Sequence, residues 1–497
     1  MADIKSAQEL LKDVPRNDAL KALMEITDWI ESVRDNADFN LDQRFDVLSL
    51  LDETARPHMR KLVYDYFSTL TLSQFQENRT WMALNEFFAH TEQAYHRVLT
   101  GYSRGEKGSS TIKSSMPVVT ARGVQAVMGR LKFAAARYAH VEQTIWEHLS
   151  DYYAHAEAQQ YLNEQVRLYP GLMQTTSVRD RFVSVLMWYA PGSSTFSPQN
   201  MHIAERLASH FCQYFSVDER PAPDSLFCFD LKQPVQLMRV LPETILSPSI
   251  RFLSAGNVIP HIESLLKVLA KNIVPDEINL GGVYTVNAVR DVARHLSIYW
   301  SAPPPMRRNV RRPIKVSMNV ALGFPNVVAH AAAGQQNHVS MTWSVEDISA
   351  TGFRCVLPAK SADGVKIGSL IGIRPENVGY RGAGIVRRLG RDGQNNLHVG
   401  VEILSKRVEN VELRAQGRGA VGGGQTAMWL VKTDDETGEA WLLMNPDTFS
   451  MNISLNTQFE NKGYLLIPVA LMEKGLDYDL ARYRKVEEDA DAVGDEY

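Results

Sequence analysis

The sequence predicts an α+β multidomain protein in which an N-terminal α-helical array is followed by a small antiparallel β-barrel and a second β-rich domain. The length of 497 residues exceeds what one hydrophobic core usually organises, so several domains are expected. Apolar residues recur at helical spacing as far as about residue 300 and alternate with polar residues beyond it. Hydrophobic residues make up 44% and charged residues 22% of the chain, as in globular proteins.

The spacing of apolar residues in 1–300 predicts an α-helical region, whose role the sequence does not indicate. Apolar stripes at helical spacing run through 45–51, 62–70 and 81–99. The Gly/Ser/Lys-rich segment 101–115 predicts a loop, and 118–168 predicts one long helix or a helical hairpin that ends before Pro170. The apolar run 226–229 is short enough to be a strand. One interpretation divides the region into two subdomains near 105–117 or near 170.

The pattern changes at the Pro-rich linker of residues 301–306, because consecutive prolines cannot continue a helix and favour an extended chain. Beyond it, Ile314, Val316 and Met318 alternate with polar residues, which is the period of a strand. Strand candidates separated by turn residues lie at 313–322, 341–345, 352–357, 369–373, 382–389 and 397–403. Short antiparallel strands in such a row favour a small closed barrel, assigned to 307–410.

The last part of the chain predicts a further domain. A Gly-rich linker is expected at 411–425 and a β-rich domain at 426–485. Its strand candidates lie near 426–432, 439–444, 450–455 and 463–468, and 471–484 predicts a helix. The tail 486–497 is acidic and polar, so it is expected to be disordered.

Charge, cysteine content and motifs limit the classes of function. The net charge of −4 at pH 7 argues against a globally basic nucleic-acid-binding protein, although a local basic patch remains compatible. Cys212, Cys228 and Cys355 are scattered and fit inert thiols of a reduced cytoplasmic protein. No signal peptide is recognised, and no segment approaches the roughly 20 apolar residues of a membrane span. Since no catalytic or metal-binding motif is found, we expect a non-enzymatic protein without a cofactor or metal.

Two motifs near the start of the predicted barrel indicate a site for anions and guanine. The first is a cluster of four arginines, Arg307, Arg308, Arg311 and Arg312, directly after the Pro-rich linker. The planar fork of arginine matches a phosphate and also matches guanine O6 and N7. In an extended chain, residues four apart place their side chains on the same side, about 13 Å apart. The cluster could therefore span a ligand that holds several guanines and phosphates.

The second motif is Asp347-x-Ser349-x-x-Gly352, in a β-rich context. An aspartate accepts hydrogen bonds from the N1 and N2 donors of guanine, which arginine cannot do. Ser349 can donate to a phosphate, and Gly352 permits a positive φ and a close approach of ligand to the backbone. Together the two motifs cover the Hoogsteen edge, the Watson–Crick edge and the phosphate of a guanine nucleotide.

These motifs, followed by the strand signatures 384–387 and 398–403, resemble the PilZ domain family of bacterial cyclic di-GMP receptors over about 305–408. The resemblance implies that paired arginines on a flexible segment wrap a stacked cyclic di-GMP dimer, while the second motif holds a guanine on the barrel surface. The family's pair falls on Arg307 and Arg311, with Arg308 and Arg312 as the alternative. The spacing to Asp347 exceeds the family's usual length, and the excess is expected in a loop at 323–337.

The third region is compared with the same family. Asn445, Asp447 and Ser450 stand where a second such barrel would carry its Asn-x-Ser-x-x-Gly motif, with the serine and the glycine replaced. We interpret 420–485 as a degenerate, non-binding PilZ-like barrel. A plain β-rich packing domain is the alternative.

The resemblance implies a cytoplasmic cyclic di-GMP effector that controls motility, pili or biofilm. Ligand would order the arginine segment and reorient 1–300, a region expected to bind an unknown protein partner. One alternative is a ligand-free scaffold with a PilZ-like fold. Another is a nucleic-acid-binding module that uses the basic arm 307–315, but Phe324 is the only aromatic residue for stacking between Ala302 and Met341, so nucleic acid is not expected.

Overall fold

The computed structural model describes residues 3–68, 72–302, 309–332, 340–361, 364–376, 379–416, 424–432 and 438–488. It divides into two compact units, a helical unit, Met1–Met306, and a barrel unit, Arg307–Tyr497. Within the described residues, no helix is both long enough and apolar enough to span a bilayer.

The described part of the helical unit contains eleven α-helices and one small sheet. The helices are α1 Ile4–Leu10, α2 Ala19–Asp35, α3 Leu41–Ser68, α4 Gln74–Ser103, α5 Ser109–Ile112, α6 Met116–Ala136, α7 Gln143–Ala158, α8 Val178–Tyr189, α9 Pro198–Phe211, α10 Val258–Leu269 and α11 Val286–Tyr299. The strands are β1 Ser216–Asp218, β2 Ser225–Asp230, β3 Met238–Arg239 and β4 Ile250–Ser254, in the order β1-β4-β2-β3.

Helix α6 is buried along almost its whole length and forms the centre of the helical unit. Two of its glycines face aromatic rings: a Cβ added at Gly123 would overlap Tyr152 of α7, and one added at Gly129 would overlap Phe88 of α4. The glycines therefore allow α4 and α7 to pack closely on α6, at the cost of weaker intrinsic helix propensity.

The sequence-based expectations for this unit are confirmed in class and corrected in detail. The segment 118–168 contains two helices, α6 and α7, which is the hairpin alternative, and the apolar run 226–229 lies in β2. The loop predicted at 101–115 is partly wrong. Gly105 and Gly108 have positive φ values, and α5 and a 3-10 turn follow them, so the irregular stretch is only a few residues long.

The first barrel of the barrel unit is closed and antiparallel. Its strands are β5 Arg312–Leu322, β6 Met341–Ile348, β7 Gly352–Leu357, β8 Leu370–Pro375, β9 Gly382–Arg391 and β10 Leu397–Ser405, with the ring order β10-β7-β6-β5-β8-β9. Alternate residues such as Trp343, Val345 and Phe353 are buried, as the period of two predicts. The barrel predicted from the sequence is therefore confirmed.

The loop predicted at 323–337 is partly a helix, α12 Phe324–Ala331, and residues 333–339 lie outside the described residues. Gly323 has a φ of 82°, and Pro325 stands in the first turn, where it needs no hydrogen-bond partner. The N–H of Phe324 donates to Asp477 Oδ2 at 2.8 Å. Because that cap lies far along the chain, local sequence could not indicate it.

The second barrel is also closed and antiparallel. Its strands are β11 Arg407–Ala415, β12 Gln425–Val431, β13 Glu439–Met444, β14 Leu455–Phe459, β15 Lys462–Lys474 and β16 Asp479–Glu487, with the ring order β11-β12-β13-β16-β15-β14. The helix predicted at 471–484 is wrong, because these residues pair as β15 and β16. Strand β11, which the sequence divided between the first barrel and a linker, belongs to the second barrel.

The two barrels share one strand topology. Numbered one to six along the chain within each barrel, the strands of both rings follow the cyclic order 6-3-2-1-4-5. Arg387 of β9 joins the barrels through two hydrogen bonds to Glu473 of β15, at 2.7 and 2.6 Å. The burial of Arg387 acts to lower its pKa, but its bonds to Glu473 and Glu402 outweigh that effect and raise it. The α+β multidomain fold class is thus confirmed.

Candidate functional site

Two of the four clustered arginines, one from each predicted pair, lie at the start of β5. Arg312 is the first residue of the strand and is exposed, and Arg311 directly precedes it. Arg307 and Arg308 lie outside the described residues. The structure therefore places Arg311 and Arg312, whereas the choice between the two arginine pairs stays a prediction.

Asp347, near the end of β6, is held by two arginines. Its Oδ1 accepts a hydrogen bond from Arg311 Nη1 at 2.8 Å, and Arg354 Nε lies 3.0 Å from its Oδ2. The side chain of Asp347 is 14% exposed, against 29% for Arg311 and 46% for Arg354. The carboxylate therefore lies at the barrel surface with both oxygens oriented by guanidinium groups.

A β-bulge turns Asp347 to the outer face of the barrel. Val345 pairs with Cys355 and Asp347 pairs with Arg354, so Glu346 is an extra residue in β6. Without the bulge, the alternation of a strand would turn Asp347 to the inside, like Val345. The bulge therefore sets Asp347 beside Arg354 on the outside of the barrel.

Arg354 is the residue that sequence reasoning missed. Besides Asp347, its Nη2 lies 3.1 Å from Glu346 Oε2, so it spans both carboxylates of the bulge. The register could have revealed it: the turn 349–352 makes Ile348 face Phe353, and the next pair outward is Asp347 and Arg354. Counting outward from the turn would have found this pair.

The turn between β6 and β7 is closed by Ser349. Both its backbone N–H and its hydroxyl donate to the carbonyl oxygen of Gly352, at 2.7 and 3.1 Å. The hydroxyl proton is therefore engaged in the turn. A donation from Ser349 to a phosphate would require the hydroxyl to rotate away from Gly352.

Gly352 is needed for a different reason from the one the sequence suggested. Its φ is not positive, so the left-handed conformation expected there is absent. Instead, an added Cβ would overlap the carbonyl oxygen of Val401 on β10. The glycine permits close contact between β7 and β10, not a strained turn.

The chain ahead of β5 lies against this turn at two points. Asn309 Nδ2 donates to Thr351 Oγ1 at 3.2 Å, and Arg311 reaches Asp347. Val310, between them, is 86% exposed. The described end of the arginine segment, from Asn309 to Arg311, thus lies against the Asp347–Gly352 motif.

The outer face next to Asp347 continues through Gly400 on β10. Gly400 pairs with Arg354 of β7 on one side and with Arg388 of β9 on the other. Val399 and Val401 are buried, so by alternation Gly400 points outward. Because Gly400 has no side chain, the outer surface between the exposed Arg354 and Arg388 is shallow. This shallow, positively charged surface lies beside the carboxylate of Asp347.

Cys355 lies on the inner side of the same strands. Burial raises the pKa of its thiol, and the negative charges of Glu346 and Asp347 act in the same direction. Cys212 and Cys228 are also buried and unpaired, as expected for structural thiols. No group of three or more His, Cys, Asp or Glu residues with metal-binding geometry occurs within the described ranges.

The structure does not place Asn445, Asp447 and Ser450 at the position in the second barrel that matches the Asp347–Gly352 motif. In the shared topology, the connection that matches Asp347–Gly352 joins β12 to β13 and spans 432–438, whereas Asn445, Asp447 and Ser450 follow β13. Asp447 has a φ of 62° and pairs with Lys474. The proposed correspondence of these three residues to the first barrel's motif is therefore wrong.

Comparison with known proteins gives one family match, and it lies outside the barrel unit. Residues 5–222 match the family model described as "Cyclic-di-GMP receptor FimW, N-terminal domain". The match lies within the helical unit and covers less than half of the 497 residues. No curated protein matches the sequence.

Proposed function

We propose that this chain is a cytoplasmic cyclic di-GMP receptor that binds its ligand on the outer face of the first barrel. The ligand-binding residues are Arg307, Arg308, Arg311, Arg312, Asp347, Ser349 and Gly352. Arg354 is a positioning residue that orients the carboxylate of Asp347. The observation that carries this proposal is the contact between Arg311 and Asp347, because it joins the two sequence motifs at one surface.

The chemistry of the group fits a guanine nucleotide. A carboxylate offers about four acceptor positions, so Asp347 can accept from guanine N1 and N2 while Arg354 still holds Oδ2. Arg311 can then leave Oδ1 and turn its fork to guanine O6 and N7 or to a phosphate. Ligand thus replaces an internal ion pair with one of its own, which limits the desolvation cost of binding.

A second line of support is independent of the barrel. The family description that matches residues 5–222 names a cyclic di-GMP receptor, while the Arg311–Asp347 contact lies in the other unit. Two unrelated parts of the chain therefore indicate one ligand. The PilZ resemblance adds the expectation of a stacked ligand dimer.

We further propose that ligand binding is relayed to the helical unit. The arginine segment directly follows that unit in the chain, so ordering it around the ligand would restrict how the two units reorient. By family analogy the output is control of motility, pili or biofilm through a protein partner of the helical unit. Small-angle scattering with and without ligand tests this relay, and identical profiles would contradict it.

Calorimetric titration of the full chain with cyclic di-GMP tests the proposed ligand. We expect binding of two molecules per chain and at least tenfold weaker binding of cyclic di-AMP, which lacks guanine O6 and N2. A single-stranded oligonucleotide is the comparison for a nucleic-acid-binding module, whose affinity would fall steeply with salt. Oligonucleotide binding without cyclic di-GMP binding would contradict the proposal.

A further inference from the structure

A cleft in the helical unit carries two arginines without an anionic partner. It has a volume of about 330 Å³ and lies between α3 and the segment that follows Leu168. Arg56 and Arg60 stand one turn apart on α3 and line it, together with Tyr169 and Leu172. A cleft of this size is at the lower end of those that hold small ligands.

Neither arginine is neutralised within the described residues. Arg56 and Arg60 form no salt bridge there, and the Nε of Arg56 is buried without a hydrogen-bond partner. Glu53, the one carboxylate in the lining, is already bonded to Arg122 Nη2 at 2.7 Å. Two adjacent guanidinium groups without a carboxylate partner therefore line one cavity.

The charges at the cleft repel one another. Burial lowers the pKa of Arg60, and the positive charges of Arg56 and Arg206 lower it further. Like charges one helical turn apart are unfavourable, and an anion between them would remove the repulsion. The cleft thus has the electrostatic character of an anion site without its anion.

The wall of the cleft is rigid. The guanidinium carbon of Arg56 lies 3.9 Å from the centre of the Tyr169 ring, and that of Arg122 lies 4.5 Å from it. The Tyr169 hydroxyl donates to the buried Asp52 Oδ2 at 3.1 Å. Arg56 is therefore stacked on a fixed ring, and little ordering is needed for it to bind a ligand.

We propose that this cleft binds a small molecule through a phosphate group, with Arg56 and Arg60 as its ligand-binding residues. Two guanidinium forks match the several acceptor oxygens of a phosphate. Pro57, Pro170 and Leu172 give the rim an apolar surface for the rest of the molecule. A compact cleft fits a small ligand better than nucleic acid, which needs an extended groove.

Hydrogen–deuterium exchange of the full chain, read by mass spectrometry, tests this site. The probes are inorganic phosphate and adenosine monophosphate, each compared with chloride at equal ionic strength. We expect saturable protection of the peptide that contains Tyr169, Gly171 and Leu172. Equal potency of the two probes would assign recognition to the phosphate alone, and tighter binding of the nucleotide would add the apolar rim.

The variant Arg60→Gln should raise the half-saturating concentration at least tenfold. Arg60 is exposed, so its loss should leave folding intact, and Arg60→Lys, which keeps the charge without the fork, should give a smaller change. Lys61→Gln removes an exposed charge outside the lining and should respond like the native chain. The proposal would be overturned if neither probe protected this peptide, or if only a single-stranded oligonucleotide did. It would also be overturned if Arg60→Gln responded like the native chain.

Discussion

The two barrels of this chain have the same strand order, yet they differ at the position that would bind a ligand. In the first barrel, β5 begins with Arg312, which pairs with Ile348 of β6. In the second, β11 begins with Arg407, which pairs with Val431 of β12. Arg407 binds Glu409 and Glu460 of its own barrel, whereas Arg311, just before β5, binds the surface carboxylate of Asp347.

The difference extends to the connection between the second and third strands. The first barrel has Asp347 and Ser349 there, held by Arg311 and by the turn. In the second barrel the corresponding connection has the sequence Lys-Thr-Asp-Asp-Glu-Thr-Gly at 432–438, in which 433–437 lie outside the described residues. Two barrels of one strand topology therefore differ in the residues of this connection, and the proposed site rests on those residues and not on the topology.

Asp347→Ala should have the largest effect on ligand affinity, because it removes the acceptor for guanine and the partner of two arginines. We expect cyclic di-GMP to bind at least tenfold more weakly, measured by calorimetry. Asp447→Ala in the second barrel makes the same chemical change at an exposed position and should leave the affinity unchanged. Equal losses of cyclic di-GMP affinity in both variants would contradict the claim that only the first barrel binds the ligand.

Gly352→Ala should destabilise the barrel unit by about 1–3 kcal/mol, because the added methyl group overlaps the Val401 carbonyl oxygen. Urea unfolding measures the change. Gly390→Ala is the matched control, since no atom lies within 4 Å of the added Cβ, and about 0.5 kcal/mol or less is expected. Equal stability of the two variants would remove the packing argument for Gly352.

Arg354→Ala should weaken cyclic di-GMP binding about threefold, because an exposed ion pair that orients a carboxylate contributes modestly. Arg354→Lys should recover part of this loss, whereas a residue that contacts ligand through a planar fork would not be rescued. Arg414→Ala removes an exposed arginine from the second barrel and controls for net charge. A loss as large as that of Asp347→Ala would make Arg354 a direct ligand contact.

The ion pair between the barrels predicts a small dependence of stability on pH. Burial acts to raise the pKa of Glu473, but the bonds from Arg387 outweigh it, so the pKa lies below its usual value of 4.5. The stabilisation is present above pH 4.5 and is lost as the pH falls through the lowered pKa. Urea unfolding of the native chain and of Glu473→Gln should therefore differ near neutral pH and converge in acid.

Local patterns predicted much of the fold. Alternation of apolar residues located the first barrel, and the apolar run 226–229 became β2. The predictions were wrong where distant contacts decide the structure. Helix α12 is capped by Asp477, and residues 479–484, in which a helix was predicted, pair with β13 as well as with the neighbouring β15. Propensity alone does not contain these contacts.

In the candidate site, too, some features were predicted from the sequence and others depend on strand pairing. Residue types predicted that the arginine cluster and the Asp347 motif would meet around one ligand, and Arg311 does lie next to Asp347. The role of Gly352 was wrong, since the approach of Val401 depends on the pairing of β7 with β10. Arg354 was missed because the register of the β6–β7 hairpin, and not its residue type, places it opposite Asp347.

The central claim is that the first barrel, and not the second, binds cyclic di-GMP. Calorimetric titration of Arg311→Ala and Arg407→Ala beside the native full chain tests it most directly, since both variants lose an arginine near the start of a barrel's first strand. We predict that Arg407→Ala binds like the native chain and that Arg311→Ala binds at least tenfold more weakly, as the loss of about 1–3 kcal/mol requires. Native affinity in Arg311→Ala would contradict the account.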